Sequence, residues 1–163
     1  MTARGAARPP DADRFVEAFL EARAVARQHG RELHYSGLRL DSRTSHFCTA
    51  VSATFCVTPS GDVTSCYEVS RPEDPRAGVF FFGAWDPANK VFGIDEGQRR
   101  RMLRLAVEFS PACAECFCRW HCAGDCPAKS VWDGTTRGPD PLRCHITRKL
   151  AAALLVERLE QGQ

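Results

Sequence analysis

The chain has 163 residues, 44% hydrophobic and 26% charged, with a formal net charge of +2. That length and composition suit one domain, or one small domain with an appendage. The near-neutral charge gives no footprint for nucleic acid or a membrane surface, and no apolar run approaches the roughly 18 residues of a spanning helix.

Residues 1–15 lack the apolar core of a secretory signal, so the sequence reads as cytoplasmic. Nine cysteines are then the anomaly. In a reducing compartment clustered cysteines serve as metal ligands more often than as disulfides, and an odd count leaves one thiol over.

Taken in order, residues 1–10 predict a disordered tail. Asp11 or Asp13 caps an expected helix running to about His29, with Phe15, Phe19 and Ala22 or Ala26 on one stripe. Gly30 stands where a C-terminal glycine is expected. Leu33 and Tyr35 alternate with polar neighbours, predicting a short strand over Glu32–Ser36. One helix-then-strand unit cannot bury both its faces, so it reads as a piece of an α/β layer.

Thr54–Tyr67 predicts a hairpin. Pro59 suits the second position of a type I turn and Gly61 the left-handed residue after it, which makes a three-residue loop with a bulge. That register pairs Thr58 with Asp62 and Cys56 with Thr64. One face then carries Phe55, Val57, Val63 and Tyr67, and the other Cys56, Thr64 and Cys66. After a Pro- and charge-rich loop over 71–77, Val79–Phe82 predicts a buried strand and Asp86–Asn89 a turn.

Asp95 with Gln98 reads as a capping box opening a helix to about Phe109, with Leu103, Ala106 and Phe109 as its core stripe. Arg99, Arg100, Arg101 and Arg104 are read as a solvated helix face in preference to an anion-binding patch, because the overall charge is balanced. Asp140 and Pro141 start a last helix as N-cap and first residue. Leu142, Ile146, Leu150 and Leu154 form its stripe, and Cys144 lies in its first turn.

The stretch CAECFCRWHCAGDC, from Cys113 to Cys126, holds five cysteines in fourteen residues. Nearly every side chain in it is a ligand type, a charge or small, so it cannot bury much apolar surface and needs something at its centre. Cys113-x2-Cys116 lets two thiolates reach neighbouring coordination positions. Cys122 and Cys126 add two more, with Gly124 allowing a tight turn. The first helical turn favours a thiolate at Cys144. Arg119, Lys129 and Arg143 are candidates to offset the negative charge of such a site. Spacing leaves tetrahedral zinc and an iron–sulfur cluster both open.

The pattern Cys48-x12-Gly61-x4-Cys66, then Cys113-x2-Cys116-x5-Cys122-x3-Cys126, then Cys144 resembles the seven-cysteine signature of the SPASM domain. That domain is the C-terminal extension of many radical S-adenosylmethionine enzymes that modify peptides and proteins. CAGDCPAKS is also similar to the family's wording, with Asp125 where a second glycine often stands.

The resemblance implies two auxiliary [4Fe–4S] clusters. One is held by Cys113, Cys116, Cys122 and Cys144, the other by Cys48, Cys66 and Cys126. Some members take the fourth ligand of the second set from a cysteine a few residues before the Cys48 position, and this sequence has none there. Three candidates stand in its place. Cys56 lies on the Cys66 face of the expected hairpin; an iron could stay open to a substrate or small ligand; and His46 lies close by, although a histidine beside a loop is more often merely exposed. Cys118 is left as the spare thiol or a neighbour of the ligands. Glu68, Asp125 and His121 are read as surface residues or as supports of the ligands.

The Cys-x3-Cys-x2-Cys loop of a catalytic radical cluster does not occur here, and the segment 11–47 resembles the last helix and strand of the family's barrel. The expected fold is therefore α+β: a tail (1–10), a remnant αβ unit of a partial (β/α) barrel (11–47), and a hairpin core with cysteine-rich loops and a C-terminal helix (48–163). The resemblance implies an electron-transfer or substrate-engaging module, a fragment or subunit that neither binds S-adenosylmethionine nor catalyses alone. Its implied partners are a catalytic barrel and a peptide or protein substrate, with no nucleic acid and no membrane. The alternative reading is a zinc-stabilised interaction module without a redox role.

Overall fold

The computed structural model describes residues 8–52, 54–133 and 136–162, so most of the expected tail lies outside the described residues. Contacts divide the chain into two units, Met1–Leu38 with Pro141–Gln163, and Arg39–Asp140. The secondary structure is mixed, with a four-stranded antiparallel sheet and a long C-terminal helix, as an α+β chain requires.

The first unit pairs helix α1 (Ala12–Gln28) with the C-terminal helix α5 (Pro141–Glu160). Asp11 caps α1, its carboxylate accepting the Arg14 N–H at 2.9 Å. Gly30 ends it in the left-handed conformation, φ 64°, while the Arg31 N–H reaches back to the Ala26 carbonyl at 2.9 Å. Only a residue without a Cβ adopts that turn freely. Val16 is the buried side chain of α1, with Phe15 and Phe19 half-buried beside it. On α5, Ile146 and Leu150 are buried and Leu142 and Leu154 half-buried, so the expected stripe is present. Asp13 bonds both His145 and Lys149 at 2.8 Å. Exposed pairs of this kind contribute little, so apolar burial carries the packing.

The strand expected over Glu32–Ser36 does not form. Residues 31–35 have no regular structure, and the Tyr35 carbonyl accepts the Leu38 N–H at 3.1 Å. Tyr35 instead sets its ring edge-on to Phe15 and Phe19, at 6.1 and 6.0 Å. A strand needs a neighbouring ladder for its backbone groups. Without one, the alternation of Leu33 and Tyr35 serves side-chain docking.

In the second unit the sheet runs β1 (Cys56–Val57), β2 (Asp62–Thr64), β3 (Phe81–Asp86) and β4 (Val91–Ile94), in that order. The expected hairpin register is observed: Cys56 faces Thr64, Val57 faces Val63, and the Thr58 N–H donates to the Asp62 carbonyl at 2.9 Å. Gly61 takes φ 88° at the predicted left-handed position. The two faces, however, do not divide into core and solvent. Val63 and Thr64 are both buried, whereas Tyr67 is 84% exposed, because β2 stops at Thr64 and the chain turns away.

The run over Val79–Phe82 divides between two elements. Ala77–Phe80 is a helical turn, α2, and the strand begins at Phe81. An apolar run alone does not distinguish helix from strand. Tertiary bonds decide it here: buried Gln98 donates through Nε2 to the Gly78 and Val79 carbonyls at 2.9 and 2.6 Å. Val63, Phe82 and Met102 form one core, Val69, Phe80 and Ala128 another. The turn at Asp86–Asn89 is observed, and β4 after it was not expected.

Helix α3 (Glu96–Leu103) starts at the predicted cap, the Asp95 carboxylate accepting the Gln98 N–H at 2.8 Å. The box is only half made, since the Gln98 side chain is committed to α2. The helix also ends earlier than Phe109, because the Val107 N–H bonds the Ser45 carbonyl at 2.8 Å. Met102 and Ala106 are buried, while Leu103 and Phe109 are exposed. A two-stranded sheet, β5 (Val131–Asp133) with β6 (Thr136–Gly138), follows the cysteine-rich segment.

Candidate metal centre

None of the nine cysteines forms a disulfide. Eight lie in the second unit; Cys144, half-buried on α5, belongs to the first.

The cysteine-rich segment is a chain of tight turns. A 3-10 turn over Pro111–Cys113 buries Cys113, and the Cys116 N–H bonds the Cys113 carbonyl at 3.1 Å. A single helical turn, α4 (Arg119–Cys122), then carries the chain to Cys122. Three successive left-handed residues follow: Ala123 at φ 49°, Gly124 at 71° and Asp125 at 64°. For Ala and Asp that conformation costs on the order of 1–2 kcal/mol each. It turns the Asp125 N–H back onto the Cys122 carbonyl at 3.0 Å, and the backbone N–H groups at Gly124 and Asp125 help to lower the Cys122 thiol. Successive N–H groups turned to one side favour negative charge beside them, in the sense in which the Cys122 thiol is shifted. The second-glycine position held by Asp125 is thus a left-handed one, which Asp tolerates better than most residues.

Cys118 is buried, with its Sγ 3.6 Å from that of Cys116. It also bonds Cys122, and the two thiols respond in opposite directions. As donor, Cys118 is pushed up, first by that bond and then by burial. Cys122 is lowered to about 6, first by the Cys118 bond and then by the two backbone N–H groups, against its burial. The residue left over by the spacing therefore lies among Cys116 and Cys122.

A second grouping involves Cys48, Cys66 and Cys126. Cys66 and Cys126 pack on the same patch of Val69, Phe80 and Ala128. Burial raises the Cys48 thiol, and the Cys126 thiol adds to the rise through its charge. Cys56 is half-buried opposite Thr64. Because the ladder ends at Thr64, the hairpin register does not extend to Cys66.

The cation among these sulfurs is Arg137 on β6. Its guanidinium donates to Ser130 Oγ at 2.8 Å, to the Leu105 carbonyl at 2.9 Å, and to the Gly124 and Asp125 carbonyls. Desolvation lowers its pKa, against the charges of Cys113, Asp125, Cys126 and Cys122. Arg137 thus fastens the left-handed turn and supplies half-buried positive charge. Sequence reading named Arg119 and Lys129 for that part. Arg119 instead holds the Ala114 carbonyl and lies over the Trp120 ring, and Lys129 pairs with Glu68 at 2.6 Å. Arg143 lies on α5 in the other unit. The available signal for Arg137 was an arginine between two ligand positions, in a short stretch otherwise small and polar.

A strap over residues 39–48 runs along the loop. The Arg39 and Thr44 N–H groups bond the His121 and Trp120 carbonyls at 2.9 and 2.8 Å, and His121 Nδ1 lies 3.1 Å from the Arg39 and Ser42 carbonyls. Beside α3 a cavity of about 550 Å³ is lined by Met102, Leu105, Phe109, Arg101, Arg104 and Arg137 among others.

Comparison of the chain with family profiles, curated proteins and solved structures finds no match. The likeness to the SPASM signature therefore rests on the sequence pattern alone: the cysteine spacing, Gly61 and the wording around Cys122 and Cys126. Among the described residues, no three His, Cys, Asp or Glu side chains converge as a single metal ion requires. A cubane spreads its ligands more widely, because each binds a different iron. The donor chemistry is compatible with such a group: free thiols on the loops of this unit and a half-buried guanidinium bonded into the turn between Cys122 and Cys126.

Proposed function

We propose that the chain binds two [4Fe–4S] clusters and serves as the auxiliary electron-transfer and substrate-engaging module of a radical S-adenosylmethionine enzyme acting on a peptide or protein. What supports this reading is the seven-cysteine spacing, together with the left-handed turn after Cys122 whose Gly124 and Asp125 carbonyls the Arg137 guanidinium holds. Left-handed strain at Ala123 and Asp125 is retained where the surroundings impose it, and such strain gathers at functional sites.

On this reading Cys113, Cys116 and Cys122 act together, with Cys144 as the fourth ligand that the resemblance supplies. Cys48, Cys66 and Cys126 form the other set, so the loop serves both. The clusters would supply one-electron chemistry. Hydrogen bonds to the sulfurs and nearby positive charge set the potential of such centres; here the Gly124 and Asp125 amides and Arg137 take those parts. The catalytic cluster belongs to a barrel partner carrying the Cys-x3-Cys-x2-Cys loop. Among the described residues no helix is long and apolar enough to cross a membrane.

The test is anaerobic purification with metal and sulfide analysis and an absorption spectrum. About eight iron and about eight acid-labile sulfide per chain, in a brown protein, are expected for two cubanes. Zinc without sulfide, in a colourless protein, would overturn the reading and leave a zinc-stabilised interaction module.

A further inference from the structure

His46 Nε2 is buried and, among the described residues, has no hydrogen-bond partner. Leaving a buried polar group unpaired costs about 1–3 kcal/mol, so the ring nitrogen calls for a purpose. The rest of the residue is fully engaged. Thr44 Oγ1 donates to the His46 carbonyl at 3.0 Å and accepts the His46 N–H at 3.2 Å. The other ring nitrogen, Nδ1, lies 3.0 Å from Ser45 Oγ.

That second contact bears on the chemistry. A metal-ligating histidine almost always commits its other ring nitrogen to an oxygen, which fixes the tautomer and aims the free lone pair. In the tautomer in which Nδ1–H donates to Ser45 Oγ, the buried Nε2 carries a free lone pair. The backbone is equally well held. Ser45 accepts the Val107 N–H at 2.8 Å, and Thr44 donates to the Trp120 carbonyl at 2.8 Å, two residues before Cys122. Cys48 stands two residues after His46 in the chain, beyond the segment that these bonds hold.

We infer that His46 is the fourth protein ligand of the set Cys48, Cys66 and Cys126, binding iron through Nε2. The inference rests on the two-cluster reading and completes the one set that lacks a fourth donor. Cys56 is the weaker occupant, since the strand that would direct it towards Cys66 ends at Thr64. A neutral imidazole replacing a thiolate removes one negative charge from the cluster's ligand shell, and histidine ligation raises the potential of iron–sulfur centres. The two clusters of this chain would then differ in potential as well as in position.

The experiment compares chains grown with 14N- and 15N-histidine, reduced anaerobically and measured by pulsed electron paramagnetic resonance. A strongly coupled nitrogen whose coupling scales with the isotope is expected, and it should vanish in His46→Ala while persisting in Cys56→Ala. Two cubanes without that coupling, or coupling that survives His46→Ala, would overturn the assignment and leave the two-cluster reading standing. Absence of iron and sulfide from the unmodified chain overturns both. The isotope exchange reads the native sequence, so failure of a variant to fold does not remove the test.

Discussion

The Arg137 guanidinium is hydrogen-bonded to the backbone carbonyl of Asp125 at 2.5 Å, so a side chain beyond the cysteine-rich segment holds that segment's tightest turn. Asp125 is left-handed, and the bond fixes the peptide that follows it, leading into Cys126. The same cation lies beside the Cys113, Cys122 and Cys126 sulfurs. Position and charge are thus supplied by one residue.

Arg137→Gln should therefore act in two ways. It orphans the Leu105, Gly124 and Asp125 carbonyls, at about 1–3 kcal/mol for each group left buried and unpaired. It also removes the positive charge, so the reduction potential of the reconstituted chain should fall. Arg137→Lys keeps the charge without the fork, and should restore the potential better than the stability. Urea denaturation and potentiometric titration, run on the same preparations, separate the two effects.

Cys126 and Cys118 should behave differently. On the two-cluster reading Cys126→Ala removes a ligand and loosens the turn that follows Cys122, so iron content should drop by more than one cluster's share. Cys118→Ala should leave iron content unchanged. It removes a sulfur that contacts Cys116 and bonds Cys122, so a lower potential is expected in its place. Loss of a whole cluster from Cys118→Ala would show that Cys118 is a ligand.

The Asp95 cap offers a test of the scaffold away from the sulfurs. Asp95→Ala removes the acceptor of the Gln98 N–H and should cost about 1 kcal/mol, the usual loss for a cap. Gln98→Ala should cost more, because it frees the Gly78 and Val79 carbonyls in the core. A smaller effect for Gln98 in thermal or urea unfolding would contradict the part given to it in holding α2.

Asp74 gives a pH dependence with a definite sign. Hydrogen bonds from Arg76 hold its carboxyl at about 2, below the usual carboxylate range. A depressed folded value means stability present above the unfolded value and lost as pH falls through the folded one. Unfolding midpoints of the native chain should therefore decline between about pH 4 and pH 2 by more than those of Asp74→Asn. The variant should be the less stable of the two at pH 7.

Much of the local architecture was legible. The hairpin register followed from Pro59, Gly61 and the residues flanking them, because turn chemistry is decided within a few residues. The caps at Asp11, Asp95 and Gly30 were legible for the same reason. Where the reading failed, a distant partner decided. Val107 leaves the helical pattern to bond Ser45, Val79 is drawn into a helical turn by Gln98, and Glu32–Ser36 meets no strand.

The candidate site divides along the same line. Cysteine identity and spacing, Gly124 in the turn and Cys126 at its end are properties of the chain, and the resemblance they carry is what implied two sets of thiols. Tertiary structure decided that Cys118 is buried beside Cys116, that Arg137 and not Lys129 is the cation bonded into the turn, and that His46 Nε2 has no partner among the described residues. The reason is physical. Ligand spacing is a covalent constraint written in sequence order, whereas desolvation and hydrogen-bond completion depend on which groups folding brings together from far apart in the chain.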